Sequence, residues 1–212
     1  CRAVVSCLDH HTKSPISPRM NSQQSIILAS GSPRRRELLK QLAVNFEVAS
    51  ADIDESLIEG EVPRDYVLRL SWEKALEGFR QCGGRLPVLG SDTIVLLDGE
   101  ILCKPESRKE AENMLMRLSG RKHLVYSGVA LALRPDNVLD TLNITSVTFG
   151  DMPVAWVRQY CQSDEPMDKA GAYAVQGATS QYIKRIEGSY SGVMGLPLYE
   201  TAQLLRRAGL LT

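Results

Sequence analysis

The sequence predicts a mixed α/β architecture, a sheet flanked by helices, and three observations carry that expectation. Apolar runs of strand length alternate with segments of helical spacing along the chain. No internal repeat or low-complexity linker divides them into separable domains. With 212 residues, 43% of them hydrophobic, the chain is long enough to bury a sizeable core.

Ile26 to Ala29 form a short apolar run that reads as a buried strand, and Leu38, Leu39 and Leu42 then follow at helical spacing. VPRDYVLRLSWEKALEGFRQCGG predicts a second helix, opened by Pro63 at its first position and closed by Gly83 and Gly84. LPVLGSD reads as a strand that ends on Asp92, and IVLLDGEIL places Asp98-Gly99 as a tight hairpin turn between two apolar arms. SRKEAENMLMRLSG carries Ser107 and Glu110 as a capping box, Met114, Leu115 and Leu118 as its apolar stripe, and Gly120 as its stop. Two strand-like pieces follow, HLVYSGVALAL and TLNITSVTFG, then a helix from Asp151 and Pro153 through Tyr160. A polar loop, DEPMDKAGAYAVQG, leads to a strand near Tyr182 to Ile186 and a closing helix, LPLYETAQLLRRAG, that ends on Gly209.

The first 24 residues differ in kind, rich in Ser, Pro, His and Gln and without hydrophobic period. We expect translation to begin at Met20, with residues 1–19 upstream or disordered; intact-mass analysis of the natural protein decides this. The apolar run AVVSCL is too short for a secretory signal. No apolar run approaches the roughly 20 residues of a membrane span, so no membrane association is expected. Five scattered cysteines without a C-x-x-C suggest neither a disulfide framework nor a zinc site, and point to the cytoplasm. Balanced charge, 25 basic against 25 acidic residues, argues against a long nucleic-acid footprint.

Local rules are broken most plainly in SGSPRRRELL. A helix N-terminus carries partial positive charge, so Arg34, Arg35 and Arg36 crowd cations where each costs roughly 0.3–1 kcal/mol if exposed. Free first-turn amides, the hydroxyls of Ser30 and Ser32, and guanidinium forks together make a site that suits a phosphate. A solvated charged face would show the same run, and neither the P-loop nor the dinucleotide-binding glycine pattern is present.

Lys74 falls on the stripe Val67, Leu70, Lys74, which places an ammonium on the face the second helix should bury. Either it snorkels at the rim or it reaches an anionic cleft. Lys104 and Lys169, in loop contexts, read equally as surface charges or phosphate contacts. Asp92, at the carboxyl end of its strand, sits where open α/β sheets collect ligands. Asp52, Asp54 and Glu55 in SADIDES form a second acidic cluster, and carboxylates plus phosphates are how Mg²⁺ is ordinarily held, though an ordinary charged turn explains the cluster as well. His123, Trp72 and Trp156 read as packing residues; Tyr173 fits either a base contact or packing.

LASGSPRRRELL, DIDES, EKA, LGSDTIVLLDGEILCKP, LSGRKHLVYSGVAL, DEPMDKAGAYAVQG and RIEGSYSGVMGLPL, in this order from Ser25 to the last helix, resemble the Maf family of nucleoside triphosphate pyrophosphatases. The resemblance implies a single domain over residues 25–212, with two lobes around a cleft, similar to inosine triphosphate pyrophosphatase. It implies hydrolysis of a nucleoside triphosphate to the monophosphate and pyrophosphate with a divalent metal, Mg²⁺ or Mn²⁺. Carried onto this chain, Ser30, Ser32, Arg34, Arg35 and Lys169 hold substrate. Asp92 accepts the proton, Lys74 and Lys104 line the reaction centre, and Glu55 with Asp92 binds metal. Arg34, Thr93 and Gln176 fall at specificity positions.

Thr93 and the block DKAGAYAVQG resemble the branch acting on dTTP and UTP, whereas Gln follows the aspartate in the branch similar to 7-methyl-GTP pyrophosphatases. Ala174-Val175 departs slightly from the common Gly-Ile and leaves Gln176 in register. Its amide can pair with the O4/N3–H edge of uracil or thymine. The rival reading is a nucleotide-sensing regulator of septum formation with little turnover. Oligomeric state is not legible in the sequence, and a homodimer is compatible with it.

Overall fold

The structure is a computed structural model that describes residues 25–212. The expectations for the leader and for Met20 lie outside the described residues. One seven-stranded mixed sheet runs in the order β2-β1-β3-β5-β6-β7, with β4 pairing a further part of β3. Its strands are β1 (Ser25–Ala29), β2 (Asn45–Ala49), β3 (Val88–Leu97), β4 (Glu100–Leu102), β5 (Lys122–Arg134), β6 (Asn137–Phe149) and β7 (Ile183–Glu187). The helices are α1 (Pro33–Lys40), α2 (Pro63–Gln81), α3 (Arg108–Leu118), α4 (Val154–Tyr160), α5 (Tyr190–Met194) and α6 (Leu198–Arg207). Among them none is long and apolar enough to cross a membrane.

Local chemistry sets these boundaries. Pro63 opens α2, and Gly83 and Gly84, both at positive φ, end its trailing turn. Asp98 and Gly99 at φ 53° and 85° make the mirror-image turn that matches strand twist between β3 and β4. The Ser107 hydroxyl accepts the Glu110 amide at 3.2 Å, but the Glu110 carboxylate reaches back to the amide of Glu106 rather than Ser107, so the capping box closes one residue early.

Three expectations need correction. The strand through LPVLGSD does not end at Asp92; it continues to Leu97, because β5 supplies a pairing partner for every residue from Val88 to Leu96. The strand expected near Thr141 starts at Asn137, since the tight β5–β6 hairpin extends pairing to Arg134 and Asn137. The short helix α5, capped by the Ser189 hydroxyl, has no counterpart in the sequence pattern, because five residues are too few for a hydrophobic period to show.

The β3 strand has an unusual outer edge. One side is paired throughout with β5. The other side pairs with β1 only at Val88 and Leu89, and with β4 only from Val95 to Leu97. Between them, Gly90 to Ile94 face no strand among the described residues, and a gap opens within the sheet.

Two packed regions flank this gap. Val95, Leu97 and Leu102 join α3, α4 and Phe149 in one core cluster, while Ile26, Leu28 and Leu89 join α1 and α6 in another. Across one face lies α2, held unusually close by glycine. A Cβ on Gly90 would come within 2.3 Å of the Ser71 carbonyl oxygen, and one on Gly128 within 2.5 Å of the Ser71 hydroxyl oxygen. Only glycine lets the helix lie this near the sheet, and that proximity carries Lys74 to Asp92.

Candidate active site

A cleft of about 540 Å³ opens at the gap in β3. The eleven residues that the family resemblance carries onto this chain line it: Ser30, Ser32, Arg34, Arg35, Glu55, Lys74, Asp92, Thr93, Lys104, Lys169 and Gln176. They come from six separated segments. Arg36 is exposed and does not line the cleft, so the arginine run divides into two inward and one outward side chain.

Successive residues of a strand point to opposite faces. Asp92 therefore lies on the α2 side with Gly90, while Thr93 lies on the α5 side with Ser91. On the α2 side, Lys74 Nζ is 2.6 Å from Asp92 Oδ1 and 2.7 Å from Glu55 Oε1. Lys74 does not snorkel; at 8% exposure its ammonium is enclosed between two carboxylates. The Asp92 amide donates to the Ser71 hydroxyl at 3.0 Å, and that hydroxyl donates to the Val67 carbonyl at 2.7 Å, which pins β3 to α2 beside the ion pair.

Glu55 arrives on an irregular segment, fixed where Tyr66 Oη donates to the Glu55 carbonyl at 2.7 Å. Burial pushes the Glu55 carboxyl upward, but Lys74, and behind it Lys104 at 3.6 Å, hold it below the usual carboxylate range. The acidic cluster thus divides: Glu55 enters the cleft, Asp52 is exposed, and Asp54 accepts the Ser56 amide in a local turn.

On the α5 side, Arg35 Nε donates to the Gly195 carbonyl at 2.8 Å. Its two terminal nitrogens lie 3.4 Å from the hydroxyls of Ser30 and Thr93. Burial lowers the pKa of this guanidinium, while nearby Asp92 opposes the shift. Among the described residues, no carboxylate comes within ion-pair distance of Arg35. Ser32 caps α1, accepting the Arg35 amide at 3.5 Å.

Lys169 is tied to its own loop, donating to the Asp168 carboxylate and the Glu165 carbonyl. Gln176 stands exposed at the mouth. Val95, Val125, Val193 and Met194 supply an apolar wall between the two charged sides. Tyr173 also borders the cleft, yet its hydroxyl is engaged with His123 Nε2 at 2.8 Å, and burial pushes its pKa upward. His123 packs against Phe149, with burial pulling it down to about 4.

Among the described residues, no group of three or more His, Cys, Asp or Glu is placed to hold a metal by itself. Glu55 and Asp92, gathered around one ammonium, fit a Mg²⁺-type ion that takes one or two carboxylates and completes its shell with phosphate and water.

A family model described as "Maf-like protein" matches residues 25–208. The chain belongs to the Maf family. This Maf chain is 47% identical over 189 residues to the dTTP/UTP pyrophosphatase of Pseudoalteromonas atlantica, covering 87% of this chain and 97% of that protein. It is 49% identical over 181 residues to the dTTP/UTP pyrophosphatase of Escherichia coli K12, covering 85% and 91%. Among solved structures, the Staphylococcus aureus Ham1 protein is similar at 14% identity and TM-score 0.45, covering 87% of this Maf chain and 97% of that one; nothing about the site follows from it.

Residues the sequence did not single out also build this Maf cleft. Ser71, Ser91 and the Gly195 carbonyl brace it from behind. A hydroxyl in an otherwise apolar strand, Ser91 in PVLGSDTIVLL, was a signal available for one of them. A backbone carbonyl gives none.

Proposed function

We propose that this Maf protein hydrolyses dTTP and UTP to the monophosphate and pyrophosphate. The observation that carries the reading is convergence. Six separated segments bring two guanidinium groups, three ammonium groups and three carboxylates into one cleft, in a chain nearly half identical to proteins named for that activity.

The triphosphate lies along the cationic wall, between Arg34 and Arg35 at the start of α1 and Lys104 and Lys169 opposite. Guanidinium forks match phosphate oxygens in pairs, and bound phosphate reverses the sign that makes cations costly at a helix start. The base reaches toward Gln176, whose amide can meet both the carbonyl and the N3–H of a pyrimidine.

Asp92 orients a water toward the α-phosphorus and takes its proton as the new P–O bond forms. The bond between the α-phosphorus and the bridging oxygen breaks, and pyrophosphate leaves with that oxygen. The cations neutralise charge gathering on the leaving group, which is where positioned charges accelerate phosphoryl chemistry most. Lys74 keeps Asp92 and Glu55 side by side as anions. Glu55 and Asp92 would hold a divalent cation, which when bound supplies further neutralisation of the triphosphate.

Pyrophosphate release from a panel of nucleoside triphosphates, with Mg²⁺ or Mn²⁺ added, tests the reading. Release should be fastest with dTTP and UTP, and Asp92→Asn should lower kcat by about 10²–10⁴-fold, the usual share of a positioned base. Binding of dTTP without turnover would make the protein a sensor instead. Preference for GTP derivatives would place it in another branch.

A further inference from the structure

One guanidinium and two hydroxyls, from two elements, gather around one backbone oxygen. The Gly195 carbonyl lies 2.8 Å from Arg35 Nε, 3.0 Å from Ser91 Oγ and 3.5 Å from Thr93 Oγ1. Gly195 itself has φ 118°, a backbone conformation side chains rarely adopt, and an added Cβ would lie 3.4 Å from Arg35 Nε. The carbonyl is thus aimed by a backbone geometry that favours glycine, with the arginine packed in ordinary contact beside it.

Proton counting fixes the direction of the network around it. The Ser127 hydroxyl has one proton, and it donates to the Gly192 carbonyl at 2.7 Å. Thr93 Oγ1 is 3.1 Å from Ser127 Oγ, so in that pair Thr93 is the donor. With its only proton turned to Ser127 or to Gly195, Thr93 offers Arg35 a lone pair, and Arg35 Nη2 lies 3.4 Å away on that side.

Ser91 is fully buried and does not itself line the cleft, but its single hydroxyl proton sits between the Gly128 carbonyl at 2.8 Å and the cleft-lining Gly195 carbonyl at 3.0 Å. It ties the α5 turn to the middle of the sheet. The turn is fixed from behind as well: Ser189 N donates to Thr145 Oγ1, which donates to Asn143 Oδ1, and Asn143 Nδ2 donates to Glu200.

From this geometry we infer that Ser91 and Thr93 are positioning residues for Arg35. Through the Gly195 carbonyl and the Thr93 hydroxyl they aim the guanidinium at the triphosphate, so Thr93 acts on the phosphates and not on the base. The inference rests on the reading of the cleft as a triphosphate site.

The test uses the 212-residue chain and inorganic tripolyphosphate, which has no base, titrated by calorimetry. Ser91→Ala and Thr93→Val should each weaken tripolyphosphate binding by about three- to tenfold, the value of one hydrogen bond. Thr93→Ser, which keeps the hydroxyl, should stay within about twofold of the parent. In an Arg35→Lys background both losses should shrink below about twofold, because residues that act through one group are not additive.

Losses that persist undiminished beside Arg35→Lys overturn the inference. So does a Thr93→Val protein that binds tripolyphosphate normally while its preference among nucleotide bases shifts. If Ser91→Ala does not fold, Thr93→Val on the half-buried side of the cleft carries the test. Should all tripolyphosphate results hold while no nucleoside triphosphate is turned over, the positioning role stands and the pyrophosphatase reading falls.

Discussion

The two faces of β3 hold a cation in opposite ways. On the α2 face, Lys74 is enclosed by Asp92 and Glu55, so its charge is spent within the protein. On the α5 face, Arg35 is gripped by a carbonyl and two hydroxyls, all uncharged, so its orientation is fixed while its charge is left over. Neutral acceptors restrain a guanidinium without neutralising it. An ion pair in a buried site organises carboxylates; a neutral cradle prepares a cation for an anion that arrives later.

Breaking the first face should have the largest effect on folding. Lys74→Met leaves the buried Asp92 carboxylate facing the half-exposed Glu55 carboxylate, and we expect a loss of about 1–3 kcal/mol in denaturant unfolding at pH 7, reduced from the fully buried case because water screens Glu55. The gap from the parent should narrow as pH falls toward 5. Without the ammonium Glu55 loses the partner that holds it low, so acidification relieves the repulsion between the carboxylates. In the parent the sign is reversed: Glu55 is held below its ordinary range, and its contribution is lost only as pH falls through that lowered value. A gap that does not change with pH would mean that Lys74 matters chiefly as packing.

Acid sensitivity from elsewhere must be separated from this. His123, buried at 2% exposure and pulled down to about 4, is neutral when folded but protonates near 6.5 when unfolded. The unfolded state therefore binds more protons between those values, and the parent should lose up to about 3 kcal/mol as pH drops from 6.5 to 4. His123→Phe should remove most of that slope in melting curves, and the acid sensitivity that remains belongs to the gap.

The second face should respond otherwise. Arg35→Gln leaves no buried charge unpaired, so stability should change by only about 1 kcal/mol while tripolyphosphate binding falls by well over tenfold. Equal damage to folding and binding would erase the distinction between the two faces. Arg36→Ala, its side chain exposed and outside the cleft, should alter stability by less than about 0.5 kcal/mol and activity by less than twofold.

Much of this was legible in the residues. Pro63, Asp98-Gly99, Ser107 and the closing glycines announce element ends through φ preferences and missing donors, which act locally. The arginine run was legible as a broken rule, and so was a lysine on a buried stripe. What the sequence concealed was non-local. Asp92 reads as the end of a strand because Gly90, Ser91 and Asp92 interrupt an apolar run, yet the interruption marks a gap beside a continuous strand. Spacing cannot distinguish a strand that stops from one that loses a neighbour. The Gly195 carbonyl was hidden for a simpler reason, since every residue has one, and only its placement makes it a site.

The interruption in the sheet has one more consequence. Unpaired strand edges are ordinarily a hazard, because they invite another chain to add itself and so begin aggregation. Here the bare stretch from Gly90 to Ile94 is bounded by β1 and β4 along the strand and roofed by α2 on one face. Most of the stretch is buried, so a neighbouring polypeptide cannot line up along it. By moving its vacancy inward, the protein keeps an unpaired strand edge closed to its own kind.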